Sequence, residues 1–417
     1  MALPALLLAA AVATWTVDEG TQAALVEDHR APIVEISIEF PVGTWSPWAR
    51  AHHAEDAFVH QNDDPGRSLM KRADALAATI ELDMHNRHAS MELRCLKSDL
   101  AATLALAKDV LANTHYDAHE LKRAGRESAI RWRGNRTDVS FRMGQAMARR
   151  LYSKDDPRRL PYEKNESVSS DVSALVTARD LLIRLPGRVI GFAGDLTEDE
   201  ARHASEGLLP IPNAAVPSDL APRLEALAAA PSKPETEDIA IPKLTQVYLA
   251  FVRDSITWTD PRRLAFLVAD HVLGGHFYSR LYVALRHDAG DTYGAGTRDR
   301  GDIVPGAYSA STFTKSDNAA TIETKLRGVI DVFYQHGITE EERAGAIAYL
   351  RGNRALDRQS AGQILSRYMT ERRLGLAPGF LDDQIERAAQ VSLDDVNALI
   401  RDYYDPAKFV MLRVVPE

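Results

Sequence analysis

Two tandem α+β domains of one kind, each a mostly antiparallel sheet with helices packed on one face, is the architecture the sequence predicts. Three observations predict it. The chain has 417 residues, more than one core fills, since single cores stop growing near roughly 250–300 residues. A proline-rich stretch, "PIPNAAVPSDLAPRLEALAAAPSKPETED" at 210–238, separates flanks that read as strands. On either side of it the same order of elements occurs twice, and such a repeat defines an architecture. The expected domains are 14–215 and 239–417, joined by a linker at 216–238.

The first domain opens with "IVEISIEF", in which Val34, Ile36, Ile38 and Phe40 alternate with Glu35, Ser37 and Glu39, the period of a half-buried strand. A helix is expected from Pro47, with Ser46 capping it and Pro47 at the position where a missing N–H costs nothing. An amphipathic helix near 68–80, a strand around "MELRCL", and helices over "SDLAATLALAKDVLA" and "YDAHELKRAGRESAIRW" follow. The second domain opens with "QVYLAFV" at 246–252, apolar on both faces, then "DPRRLAFLVADHVLGG", a Gly-rich stretch, the strand "GAYSASTF", and helices near 317–335 and 339–351. Each half closes with a helix running into a strand, and Leu-Ile-Arg recurs there at 182–184 and 399–401. Strands grouped in hairpins among helices, rather than strict strand-helix alternation, favour antiparallel sheets.

Composition narrows the function. Hydrophobic residues at 45% and charged residues at 26% are those of a chain that folds into packed cores rather than a disordered one. A net charge of -9, with acids and bases interspersed, provides no basic field for a phosphate backbone, so nucleic acid is not an expected partner. Cys95 is the only cysteine, which excludes an intrachain disulfide and a thiolate zinc cage. The opening "MALPALLLAAAVATW" ends its apolar run in Ala11-Val12-Ala13, the small-x-small pattern of a cleavage site, yet lacks a positive start. Export, to a periplasm or beyond, is the expectation and a cytoplasmic chain the alternative. No later run reaches the roughly 20 apolar residues of a membrane span.

The densest chemistry is "AHHAEDAFVH" at 51–60. On one continuous helix His52, Glu55 and Asp56 share a face by their i, i+3, i+4 spacing. A zinc hydrolase uses such a face, two side chains binding the metal and a carboxylate between them activating water; the inverted metallopeptidase motif is His-x-x-Glu-His. Here Asp56 stands in the last place. The bland reading is a histidine-rich solvated face, with His53 and His60 seven apart on an exposed stripe; His85 and His88 read as structural residues of a strand.

From these residues onward the chain resembles the insulinase and processing-peptidase family of metallopeptidases over nearly its whole length. "TVDEGTQAALVEDHRAPIVEISIEFPVGT" is similar to the family's first hairpin and strand, "LKSDLAATLALAKDVLANTHYDAHELKRAGRE" to its helix pair, and "LGGHFYSRLYVALRHDAGDTYGAGT" at 273–297 to its C-terminal-domain signature. The resemblance implies a third zinc ligand, a Glu, on the helix after Tyr116-Asp117. Counting along that helix puts Arg131 in this place, and a guanidinium has no lone pair to offer and repels a divalent ion. A second register reads Asp56, Val59 and His60, which puts Val59 where the catalytic Glu belongs. Glu55 or Asp56 is expected to pair with Arg131 in place of the metal.

In the second half Ser279-Arg280-Leu281, Leu285-Arg286, Gly290 and Tyr293 match the family pattern. The resemblance implies that Arg286 and Tyr293 are the pair that reaches a zinc centre, binds substrate backbone and stabilises the developing oxyanion, as such donors can. The bland reading gives Arg286 a surface ion pair and packs Tyr293 in the sheet. Gly274-Gly275 and "GAGT" lack the Lys-Ser/Thr and the context of a phosphate loop. A lost zinc site beside a kept Arg/Tyr pair implies the zinc-less subunit of a heterodimer, binding no zinc itself, whose zinc-bearing paralogue completes a chamber of four similar domains enclosing peptides. Two alternatives stay open: a metalloendopeptidase with an atypical site from His52, Glu55, Asp56 and Glu120 or Glu127, and a peptide-binding scaffold without catalysis.

Overall fold

The computed structural model describes residues 12–60, 68–112, 115–163, 167–208, 212–222, 224, 227, 235–287 and 292–417. The start of the chain through Val12's predecessor, and with it most of the expected leader, lies outside the described residues. The contacts divide the chain into two compact units, each assembled from three stretches: 1–130, 165–224 and 354–381 in the first, 131–164, 225–353 and 382–417 in the second. The stretch 131–164 therefore counts with the second unit and 354–381 with the first.

The first unit holds a six-stranded sheet of β1 (Ala13–Asp18), β2 (Thr21–Glu27), β3 (Ile33–Phe40), β4 (Thr79–Met84), β5 (Ala89–Leu96) and β6 (Arg188–Gly194), in the order β1-β2-β6-β3-β5-β4. Only β2 and β6 run parallel. The alternation read in β3 sends Val34, Ile36 and Ile38 into a core with Met91 and Leu93 of β5, where helices Leu100–Ala112, Val172–Ile183 and Glu198–Leu208 add Val110, Leu182 and Leu208. The opposite face is covered as well: Ala361, Ile364, Leu365 and Met369 of helix Ala361–Arg373 pack on Ala24, Val26, Val189 and Ala193. The cause is visible in β2 and β6, whose runs are apolar at successive positions and so have two faces to bury.

The second unit repeats the plan with β7 (Glu235–Ile241), β8 (Gln246–Asp254), β9 (Thr292–Asp299), β10 (Ala307–Lys315) and β11 (Val410–Pro416), ordered β7-β11-β8-β10-β9. Its parallel pair is β7 with β11, in the place that β2 with β6 holds in the first unit, and all other pairs are antiparallel in both. The two Leu-Ile-Arg segments end the helices that feed β6 and β11, corresponding strands of this repeat. Residues Val247, Leu249 and Phe251 of β8 face one core, and Ala250 and Val252 face helix Val139–Leu151, so its double apolar face is used on both sides.

Candidate functional site

The expected continuous helix over 47–60 is two short helices, Pro47–Ala51 and Ala54–Val59. Ser46 caps the first by accepting the Ala49 amide at 3.3 Å. His53 breaks the run in the left-handed conformation, at φ 51°. The reason is burial. At about 100° per residue, one straight helix sets Trp48 and Ala49 on the side opposite Ala54, Ala57 and Phe58, yet all five are buried. The break turns both apolar sets inward, and it separates His52 from the face of Glu55 and Asp56.

Each residue then has its own neighbours. His52 lies exposed against the Trp48 ring, at 5.4 Å between centroids. Glu55 is exposed. The Asp56 carboxylate accepts the Ser169 amide at 2.9 Å and lies 3.3 Å from His53 Nδ1 and 3.9 Å from His60 Nε2. It thus ties helix Ala54–Val59 to the approach to helix Val172–Ile183, a role that no side-chain pattern announces because its partner is a backbone N–H. Beneath it the Tyr116 hydroxyl donates to the Ala57 carbonyl at 2.5 Å, and burial pushes that phenol up to about 12. Val59, the catalytic position of the second register, packs half-buried on the core.

Zinc needs at least three protein donors aimed at one point. Among the described residues no three His, Cys, Asp or Glu side chains are grouped so as to hold a metal ion, and the imidazoles here are directed at the Asp56 carboxylate itself. This donor set does not fit the ion. Glu120 and Glu127, the other glutamates considered, are both bound by Arg123 on their own helix, Ala118–Gly134. Arg131 is exposed in the last turn of that helix and falls in the second unit.

In the second unit the Ser-Arg-Leu segment is built into the fold. Leu281 and Leu285 are fully buried, and Arg280 forks onto Glu342 with two contacts of 2.7 Å. That bidentate pair holds the helical turn Arg280–Tyr282 and the wider turn Val283–His287 that follows. Arg286 projects outward from the wider turn, its guanidinium 5.3 Å from the Tyr282 ring centroid, and Tyr282 meets Phe277 edge to face at 5.1 Å. Phe277 and Tyr278 are 68% and 83% exposed, which makes this an uncovered aromatic surface beside a cation. The aromatic spelling "HFYSRLY" was the available signal for it. Gly290 lies outside the described residues, and so does the Tyr293 side chain; the Tyr293 backbone runs in β9.

Comparison with known proteins gives three findings. Residues 188–350 match the family described as the peptidase M16 inactive domain. An uncharacterized zinc protease of Streptomyces coelicolor is 26% identical over 160 residues, which are 38% of this chain and 35% of that protein, so the match spans about a third of the relative's length. Among solved structures, a peptidase M16 inactive domain from Pseudomonas fluorescens superposes with a TM-score of 0.80 at 19% identity, covering 97% of this chain and 98% of that one. The periplasmic protease PqqL from Escherichia coli superposes with a TM-score of 0.75 at 14% identity, over 97% of this chain but only 45% of its own. Residues 188–350 thus resemble the peptidase M16 inactive domain, and over nearly its whole length the chain has the fold seen in M16-like peptidases.

Proposed function

We propose that this chain is the non-catalytic, substrate-binding subunit of a zinc metallopeptidase, and that it supplies Arg286 and Tyr293 to the active site of a zinc-bearing paralogue. The observation that carries the reading is an asymmetry. The inactive-domain match includes both Arg286 and Tyr293, whereas in the stretch that would correspond to a zinc helix Asp56 is taken up by the Ser169 amide and His53, and His52 lies against Trp48. The exposed Phe277 and Tyr278, with half-buried Tyr282 beside Arg286, suit an extended peptide, giving its side chains aromatic surface and its carbonyls a donor. That PqqL is about twice as long as the stretch this chain matches supports a second chain providing the other half of the enclosure. Its periplasmic location supports export of this chain as well; among the described residues no helix is long and apolar enough to cross a membrane.

The test is reconstitution. The purified chain binds less than stoichiometric zinc and cleaves no peptide alone, and it restores peptide cleavage when mixed with a paralogue bearing an intact His-x-x-Glu-His. Tyr293→Phe and Arg286→Gln each lower kcat of the mixture by roughly 10²-fold, the scale of losing one transition-state donor. Unchanged turnover with both variants refutes the role in trans, and stoichiometric zinc in the lone chain refutes the zinc-less reading.

A further inference from the structure

A cavity of about 580 Å³ opens within the first unit, where the end of β3, the β4–β5 turn, the start of β6, the loop 216–222 and the last turn of helix Ala361–Arg373 meet. Its size falls in the roughly 300–1,000 Å³ range of ligand pockets. One wall is cationic. Among its described lining residues Arg87, Arg372 and Arg373 stand beside one carboxylate, Glu39, and Arg87 already lies against the Trp45 ring at 5.2 Å. Glu39 is already engaged, bonded by Arg373, whose guanidinium also donates toward His88 Nε2 at 3.3 Å. His88 is therefore an acceptor, a neutral imidazole, in keeping with burial holding its pKa down to about 3.

Arg372 is different. Its Nε is buried and meets no hydrogen-bond acceptor, and no acid pairs with its guanidinium among the described residues. The adjacent acid, Glu371, turns away and accepts the amides of Gly379 and Leu381 at 2.8 and 2.7 Å. A buried guanidinium donor without an acceptor is costly, and a carboxylate supplies two parallel acceptors in the geometry the fork requires. The lining adds apolar surface from Pro41, Val42, Val216, Leu220 and Pro222, interrupted by the polar Ser46, Asn86 and Ser218. A bare inorganic anion would leave that surface unused.

We propose that this cavity binds a carboxylate carried on an apolar body, with Arg372 as its bidentate partner, and that the source is the free carboxyl end of a peptide whose last side chains are apolar. Only the choice of a peptide rests on the proposed function; the carboxylate chemistry stands on the cavity itself. The site would hold the far end of a peptide by its terminus.

The experiment uses the full chain with no second subunit and no turnover, so its failure leaves the reconstitution test untouched, and the reverse. A fluorescein-labelled hexapeptide ending in Ala-Val-Leu is titrated by anisotropy as the free acid and as the terminal amide, with octanoate and inorganic phosphate as competitors. We expect the acid to bind at least tenfold tighter than the amide, Arg372→Gln to abolish that preference, and Arg372→Lys to keep part of it. Because Arg372 has no side-chain partner among the described residues, Arg372→Gln should melt as the wild type does; should it unfold, Val216→Asp, on an exposed wall position, is expected to weaken the acid at least tenfold as well. Equal binding of acid and amide, no binding of either, or undiminished binding by folded Arg372→Gln overturns the proposal. Octanoate bound where the peptide acid is not overturns the peptide source, and phosphate competing as strongly as the peptide overturns the requirement for an apolar body.

Discussion

Two titratable side chains, one in each unit, tilt stability in opposite directions with pH. Asp270 accepts the Tyr308 hydroxyl at 2.8 Å, and burial raises its pKa to about 6. The folded chain therefore keeps this proton above the unfolded value of 3.8, and stability is lost as pH rises from there through 6, by about 2 kcal/mol for a partly accessible group. His88 does the reverse: held at about 3 by burial, with Arg373 and His85 adding repulsion, it stays neutral while the unfolded chain takes up a proton below 6.5. Stability is lost as pH falls from 6.5 toward 3. Between about pH 4 and 6 the two slopes oppose each other, and single variants separate them. Asp270→Asn should gain about 2 kcal/mol at pH 7 and nothing at pH 3.5, while His88→Gln should gain about 2 kcal/mol at pH 5 and nothing at pH 7.5, both read from urea unfolding. A variant whose gain does not change with pH contradicts the assignment for its residue.

At the scale of elements, the contact between helix Ala361–Arg373 and β6 depends on a missing side chain. A Cβ at Gly191 would stand 2.6 Å from Met369 Sδ and 2.9 Å from Leu365 Cδ1. Gly191→Val is expected to cost about 2–3 kcal/mol by overpacking, and Leu365→Ala in that background should recover part of the loss although Leu365→Ala alone costs about 2–4 kcal/mol. Additive losses in a double-mutant cycle would mean that the two do not meet. The same scale explains the error over 47–60. The spacing of polar residues fits one helix, but the two buried sets, Trp48 with Ala49 and Ala54 with Ala57 and Phe58, do not, and burial outweighs the continuation of a helix through His53 at φ 51°.

At the scale of the molecule, the repeat was legible because each half spells out its closing helix and strand, and the order β2-β6-β3-β5-β4 recurs as β7-β11-β8-β10-β9. The strand β7 was not, since "ETEDIAI" begins with four polar residues inside the linker as read and is held by parallel pairing to β11, a partner about 170 positions away. The local motif at Ser279–Arg286 was legible as sequence; its support by Glu342 and its exposed aromatic neighbours came only with the fold. The cavity at Arg372 was invisible, because its walls come from five separate segments and its decisive feature is an acceptor that Glu371 does not provide. A fragment ending at residue 234 lacks 354–381, which leaves Ala24, Val26, Val189 and Ala193 uncovered. It should bind an apolar dye and associate, whereas a compact, dye-silent monomer would show that this stretch is dispensable.

The borrowing of 354–381 by the first unit also sets a timetable for synthesis. At 5–20 residues per second, roughly ten to thirty seconds separate the emergence of residue 224 from that of residue 381, which completes the unit's last stretch. Throughout that interval the first unit lacks the helix that covers Ala24, Val26, Val189 and Ala193, and a holdase has its window to engage that apolar face before the chain closes on itself.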